Sequence, residues 1–169
     1  TRKESSAASD VYKRQIEGWD VSNVTNMSNM FDNATQFNQP LNNWSITSLT
    51  NLDGIFTNTP LFNQPLDNWN TSAISRMRNT FLNAEAFDQD LSFWDISSVT
   101  SMLSNSGLSE ENYDATLIGW ATQTVQDDVD LGATGLKYCD GRLARLELID
   151  THNGTVTGCL LYTSPSPRD

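Results

Sequence analysis

The sequence predicts an α/β solenoid, a stack of short strands and short helices closed by a small α+β C-terminal cap. Three observations predict it. Tryptophans stand at Trp19, Trp44, Trp69 and Trp94, each 25 residues after the last. With five Trp in 169 residues, three successive hits at one spacing arise by chance about 3 times in 100,000, so the period is a real repeat. Within each copy the apolar spacing switches between a helical pattern and an alternating one, and beyond about residue 106 the period gives way to a different pattern.

The other columns of the repeat agree with the Trp. Val24, Leu49, Ile74 and Val99 follow it by five residues, and Met27, Leu52, Met77 and Met102 come three further on. Phe31, Phe56 and Phe81 form another column, as do Phe37, Phe62 and Phe87. Gln39, Gln64 and Gln89 recur, and so do Leu41, Leu66 and Leu91. After Trp19 the apolar residues Val24, Met27, Met30 and Phe31 mark the stripe of a short helix, with Ser22 or Asn23 to cap its start and Asn33 at its end. The stretch Phe37-Asn38-Gln39-Pro40-Leu41 alternates large and polar side chains, as a short strand does. Pro40 and Pro65 lack the N–H of a ladder bond, so that strand is brief or bulged. One such coil cannot bury enough surface to fold alone; stacking has to supply the rest. Stacked copies would bring Gln39, Gln64 and Gln89 into an amide ladder.

In the fourth copy Ser106 stands where a Phe is expected, followed by Gly107. Ser109-Glu110-Glu111 reads as a capped helix start, with Tyr113, Leu117 and Trp120 on the apolar face. Short strands are expected at 129–131, 136–138 and 155–157, and a second helix capped by Asp140 and running to about Asp150, with Leu143, Leu146 and Ile149 on one side. The predicted organisation is therefore about four 25-residue repeats over 16–106 and a cap over 107–159. The flanks, 1–15 and 160–169, resemble translated adapter sequence and are set aside. Because Trp19 opens on a full repeat pattern, the N-terminal side is expected to be cut within the array and to associate or fray.

The strings Trp19-Asp20-Val21-Ser22-Asn23-Val24-Thr25-Asn26-Met27, Met30-Phe31 and Phe37-Asn38-Gln39-Pro40-Leu41 resemble the BspA-like bacterial surface proteins, with leucine-rich-type repeats of about 25 residues. The resemblance covers 19–103. Tyr113 to Trp120, Tyr138-Cys139-Asp140-Gly141 and Leu148-Ile149-Asp150 look like a block that follows such repeats, although His152-Asn153-Gly154 stands where a Gly-Trp pair is expected. The resemblance implies a leucine-rich-repeat-like stack in a secreted or surface-displayed bacterial adhesion protein, without catalytic activity or cofactor.

Charge narrows the partners. The chain carries a net charge of −11, and without the flanks it holds five basic and 18 acidic residues. Such a surface repels phosphate backbones and anionic lipid, so nucleic acid is not expected as a partner. No run of about 18 apolar residues spans a membrane, so no membrane insertion is expected of this stretch. Cys139 and Cys159 would close a loop of about 20 residues, against the simpler reading of two thiols.

No catalytic constellation is expected. His152, the one histidine, has no nucleophile context. Asp127, Asp128 and Asp130 are candidate calcium ligands, but they lack the Gly and distal Glu of a helix-loop-helix site, so a solvated acidic turn is favoured. Asn-x-Ser/Thr triplets such as Asn23-Val24-Thr25 arise freely in an Asn/Thr-rich repeat. The Trp column reads as packing ahead of ligand contact. The expected function is adhesion or protein–protein interaction with a protein on a host or neighbouring cell. The alternatives are glycan binding by the Trp column and an inert spacer.

Overall fold

The computed structural model describes residues 16–97, 102–103, 105–123, 136–138, 141–150 and 160–161. The repeats form stacked coils, but each coil is made of turns. Between Gly18 and Ser97 there is no helix and no strand, only successive turns and two single-residue bridges, Asn26 with Asn51 and Asn51 with Arg76. This overturns the expected α/β solenoid, a leucine-rich-repeat-like stack of short strands and short helices.

The physical reason lies in how the backbone N–H groups are shared out. In the expected helical stretch Met30, Asp32 and Ala34 donate three residues back, to Met27, Asn29 and Phe31 at 3.2, 3.2 and 3.0 Å. The alternate residues Met27, Asn29, Phe31 and Asn33 donate instead to the next coil, to Asn51, Asp53, Ile55 and Thr57 at 2.8–3.0 Å. A helix needs every N–H for its own carbonyls, so a chain that sends every second one to its neighbour cannot be helical. The apolar spacing of three that suggested a helix is the spacing of turn corners.

Asparagine makes those corners possible. Asn29 and Asn79 have φ of 56° and 55°, and in the coil between them the equivalent residue is Gly54 at 64°. A second left-handed column runs through Asn33, Asn58, Asn83 and Asn105, at 52–60°. Left-handed backbone crowds a Cβ; Asn tolerates it better than most residues and Gly is free of it. At Gly54 the space is doubly restricted, because a Cβ would run into the Asn29 side-chain oxygen.

The expected strand at 37–41 is likewise absent, and side chains carry the bonds between coils there. The Asn38 Oδ1 accepts from the Asn63 N–H at 3.0 Å, and the Asn63 Oδ1 from the Asp88 N–H at 2.9 Å. The glutamines join this asparagine row rather than forming a ladder of their own. Gln64 donates to the Asn38 Oδ1 at 2.9 Å and Gln89 to the Asn63 Oδ1 at 2.6 Å.

Inside the coils the apolar columns are buried. Leu41, Leu66 and Leu91, Phe56 and Phe81, Phe62 and Phe87, and Trp44, Trp69 and Trp94 all lie in one continuous core. Within a coil the two Phe rings stack at 3.9–4.0 Å, and between coils each Phe column stacks at 5.6–6.0 Å. The tryptophans also tie coils together by hydrogen bonds. The Leu41 carbonyl accepts the Trp44 N–H of its own turn at 3.0 Å and the Trp69 indole N–H of the next coil at 3.0 Å, using both lone pairs. Ile16 serves Trp19 and Trp44 in the same way, and Leu91 serves Trp94 and Trp120. The indole N–H of Trp94 is the exception and has no acceptor among the described residues.

The fourth coil is three residues shorter than the period implies. Phe56 N–H donates 24 residues ahead, to Thr80, whereas Phe81 N–H donates 21 ahead, to Met102. Asn58 pairs with Asn83, but Asn83 pairs with Asn105. Met102 therefore sits at the Thr80 level rather than in the Met77 column, and the Phe place falls to the fully buried Leu103 rather than to Ser106.

Helix α1 (Glu110–Ala121) covers the last coil. The Ser109 side chain caps it by accepting from the Asn112 N–H, and Glu110 and Glu111 lie in its positive first turn. Side chains of the helix and of the residues just past it replace the backbone of a further coil: Thr116 Oγ1 accepts from Leu91 N–H, and Gln123 accepts from Ile96 N–H while donating to the Trp94 carbonyl. Tyr113, Leu117 and Trp120 are buried, and Gly119 lies so close to the Ser92 backbone that a Cβ would not fit. Beyond α1, strand β1 (Lys137–Tyr138) leads to helix α2 (Arg142–Asp150), and β1 pairs in parallel with β2 (Leu160–Leu161). Gly141 brings the start of α2 against Asp114 and Leu117 of α1. On α2 Leu148 is buried and Ala144 and Ile149 pack partly buried against the core, while Leu143 is 77% exposed and Leu146 is also exposed, so of the expected Leu143–Leu146–Ile149 side only Ile149 faces inward.

The double use of the Leu41 carbonyl gives a direct test. Trp69→Phe removes one indole bond and part of a buried ring and is expected to destabilise the chain by about 1–3 kcal/mol in urea unfolding. Trp19→Phe, at a residue 50% exposed, is expected to change stability by less than about 0.5 kcal/mol.

Candidate interaction surface

The stacked columns decide which side chains remain for outside contacts. Of the repeat-defining residues, Trp44, Trp69, Trp94, Phe56, Phe81, Phe62, Phe87, Leu41, Leu66 and Leu91 are buried, while Phe31 and Phe37 in the first coil are half-buried. Gln39, Gln64 and Gln89 are half-buried beside the asparagine row. Trp19 alone of the Trp column shows a large surface, lining an open apolar groove of about 690 Å³ with Val24, Met27 and Met30. The candidate calcium ligands Asp127, Asp128 and Asp130, together with His152, Cys139 and Cys159, lie outside the described residues. Among the described residues no group of three or more His, Cys, Asp or Glu is placed to hold a metal ion, and no helix is long and apolar enough to cross a membrane.

Polar columns cover the outside. Thr50 donates to the Thr25 carbonyl through both N–H and hydroxyl at 3.0 Å, and Ser75 repeats this on Thr50 at 3.0 and 3.2 Å. Asp53 accepts the Arg78 N–H at 2.8 Å and pairs with the half-exposed Arg76 guanidinium at 2.5 Å. These contacts hold the surface in register from coil to coil. Its charge is mostly of one sign: residues 16–97 contain nine acidic side chains and two basic ones, Arg76 and Arg78.

Two carboxylates are shifted. The Ser22 hydroxyl and N–H, both donating to Asp20, hold its carboxyl below the ordinary aspartate value. At Asp88 partial burial pushes the carboxyl up, but the Ser109 N–H, the Asn112 amide and the Ser109 side chain together outweigh it and hold it below the ordinary value. The Ser109 N–H lies at 2.7 Å and the Asn112 amide at 2.9 Å from one Asp88 oxygen, so this carboxylate fastens the start of α1 to the third coil.

One feature of the surface escaped the repeat reading. Phe93 occupies the column of Gly18, Asn43 and Asn68, and it is 48% exposed. It lines a groove of about 370 Å³ with Asp67, Asn68, Asn70 and Asp95, floored by the buried Trp69 and Thr71. Its signal in the sequence was there to find: an aromatic residue in a column otherwise held by small polar ones.

The fold defines the class, a repeat protein of stacked turn coils ended by a helical cap. The chain belongs to the DUF285 family, a bacterial repeat family described as "Mycoplasma protein of unknown function", whose profile matches residues 3–120. Comparison with curated proteins and with solved structures found no match.

The lowered Asp88 carboxyl predicts an acid limb to stability. A depressed folded value means its contribution is complete above the unfolded aspartate range and is lost as pH falls through the folded value. Asp88→Asn copies Asn63 one coil earlier, keeps the acceptor, and is expected to cost under about 1 kcal/mol at pH 7 while flattening that limb. Asp88→Ala is expected to cost about 1–2 kcal/mol at pH 7. Thermal melts from pH 2.5 to about 7 check both.

Proposed function

We propose that this chain is a non-catalytic interaction module of a secreted or surface-displayed bacterial protein. It resembles the BspA-like surface proteins, and its polar faces bind a protein on a host or neighbouring cell. The observation that carries this reading is the division of labour in the repeats. Nearly all the periodic aromatic and aliphatic side chains are used in stacking, and what faces outward is a regular, acidic lattice held in register by hydrogen bonds. A surface pre-ordered in this way loses little side-chain freedom on binding, and its acidic excess speeds encounter with a basic partner. Trp44, Trp69 and Trp94 present no face on which a sugar ring could stack.

The full chain, coupled at high density to beads, is expected to adhere to cells or extracellular matrix. Adhesion is expected to fall several-fold as ionic strength rises from about 0.05 to 0.3 M, because exposed charges are then screened within a few ångströms. Absence of adhesion at low salt would leave a spacer as the better reading; adhesion indifferent to salt would remove the acidic lattice from it.

A further inference from the structure

We infer that the groove beside Phe93 receives an arginine side chain from a basic segment of the partner protein. The inference rests on the reading of the chain as an interaction module and names the chemistry of one of its contact points.

One departure from the repeat and two carboxylates meet in this groove. Phe93 replaces the asparagine of Asn43 and Asn68; Asp67 stands where the preceding coil has Asn42; and Asp95, like Asp20 in the first coil, stands where the coil before it has Asn70. The Phe93 ring is not needed for stacking, since neighbouring coils have asparagine there, and the bond each carboxylate makes could be accepted by an amide oxygen, as it is by Asn42 and Asn70 in neighbouring coils. The Phe93 ring is half out in solvent, whereas the periodic Phe rings of the same and the preceding coil, Phe56, Phe62, Phe81 and Phe87, are fully buried. An exposed ring with two acidic neighbours is what a flat cation requires.

The carboxylates have capacity to spare. Asp67 accepts the Asn42 amide through one oxygen at 2.6 Å, and Asp95 accepts the Ser97 N–H through one oxygen at 2.9 Å. The other oxygen of each takes no hydrogen bond from the described residues. Neither Arg76, which is paired with Asp53, nor Arg78 lines the groove. A cation from outside therefore meets an aromatic face and two carboxylate oxygens without an internal competitor in the groove. Guanidinium suits this set better than ammonium, because it is planar, stacks on a ring and offers donors in several directions at once. A neutral sugar could stack on the ring but would gain nothing from the charges.

The chain itself supplies test variants that should fold. Phe93→Asn, Asp67→Asn and Asp95→Asn each install the residue of a neighbouring coil, and the first leaves the charge unchanged. The probe is a short acetylated peptide with two arginines in a Gly/Ser background, compared with citrulline and lysine versions by fluorescence anisotropy. The arginine peptide is expected to bind, the lysine version more weakly and the citrulline version not at all. Phe93→Asn is expected to weaken arginine-peptide binding about two- to five-fold, and the double Asp variant about ten-fold, with unchanged melting curves. Equal binding by wild type and Phe93→Asn, or binding that survives citrulline, would overturn the assignment. So would a neutral oligosaccharide that shifts the Phe93 ring resonances when the arginine peptide does not. If the triple variant adheres to cells as well as the wild type does, the groove assignment falls and the module reading stands. If wild type binds the peptide but no cell or matrix, the module reading falls and the groove assignment stands.

Discussion

Everything in this molecule depends on the alternation of backbone N–H groups between turn and neighbour. In the coil from Met27 to Asn33, every second N–H closes a turn and every other one crosses to the next coil. The arrangement satisfies the backbone without a helix or a sheet, and buried backbone groups must be satisfied in some way. It also commits each coil to its neighbour, because a coil on its own would leave half of these donors unpaired. The pattern recurs on the next coil from Leu52 to Asn58, with Gly54 and Asn58 in the left-handed places.

Side chains extend the same logic where the backbone is turned away. Asn38 and Asn63 accept from the backbone and from the glutamines of the coil ahead, Asp88 accepts from the Ser109 N–H and the Asn112 amide, and the row of Thr25, Thr50 and Ser75 holds another edge. The indoles of Trp44, Trp69 and Trp120 do so inside, sharing a carbonyl with a turn. Helix α1 and the residues after it end the stack by imitation, since Asn112, Thr116 and Gln123 present side-chain oxygens and amides where another coil would present peptide groups. An open face of this kind would otherwise be a template for further pairing. The outer surface is then the residue of these commitments, and Phe93 stands out on it because stacking does not call for it.

Part of this was legible in the residues. The 25-residue period and the identity of the columns follow from Trp19, Trp44, Trp69 and Trp94 and the Phe, Gln and Leu positions between them, since stacked copies must place like over like. The start of α1 at Ser109-Glu110-Glu111 was legible because an end cap is a local device. The helix expected after each Trp was a misreading of a true regularity. A spacing of three fits both a helical stripe and a run of three-residue turns, and the sign that separates them is the asparagine at Asn29, Asn33, Asn58, Asn79 and Asn83, which bends the chain into left-handed backbone. Phe93 was legible only once the columns were compared for what breaks them rather than for what repeats.

The sequence by itself determined that the chain is a stack of 25-residue units, which side chains recur in each, and that the surface is acidic, because periodicity and charge are properties of the order of residues alone. Only the tertiary structure decided that the units are coils of turns, that the fourth is three residues short with Leu103 in the Phe place, and that Phe93, Asp67 and Asp95 share one groove. The reason is that each of these depends on where an N–H finds its partner. For these coils the partner in the neighbouring coil lies 21 to 26 residues away, beyond the reach of any local pattern.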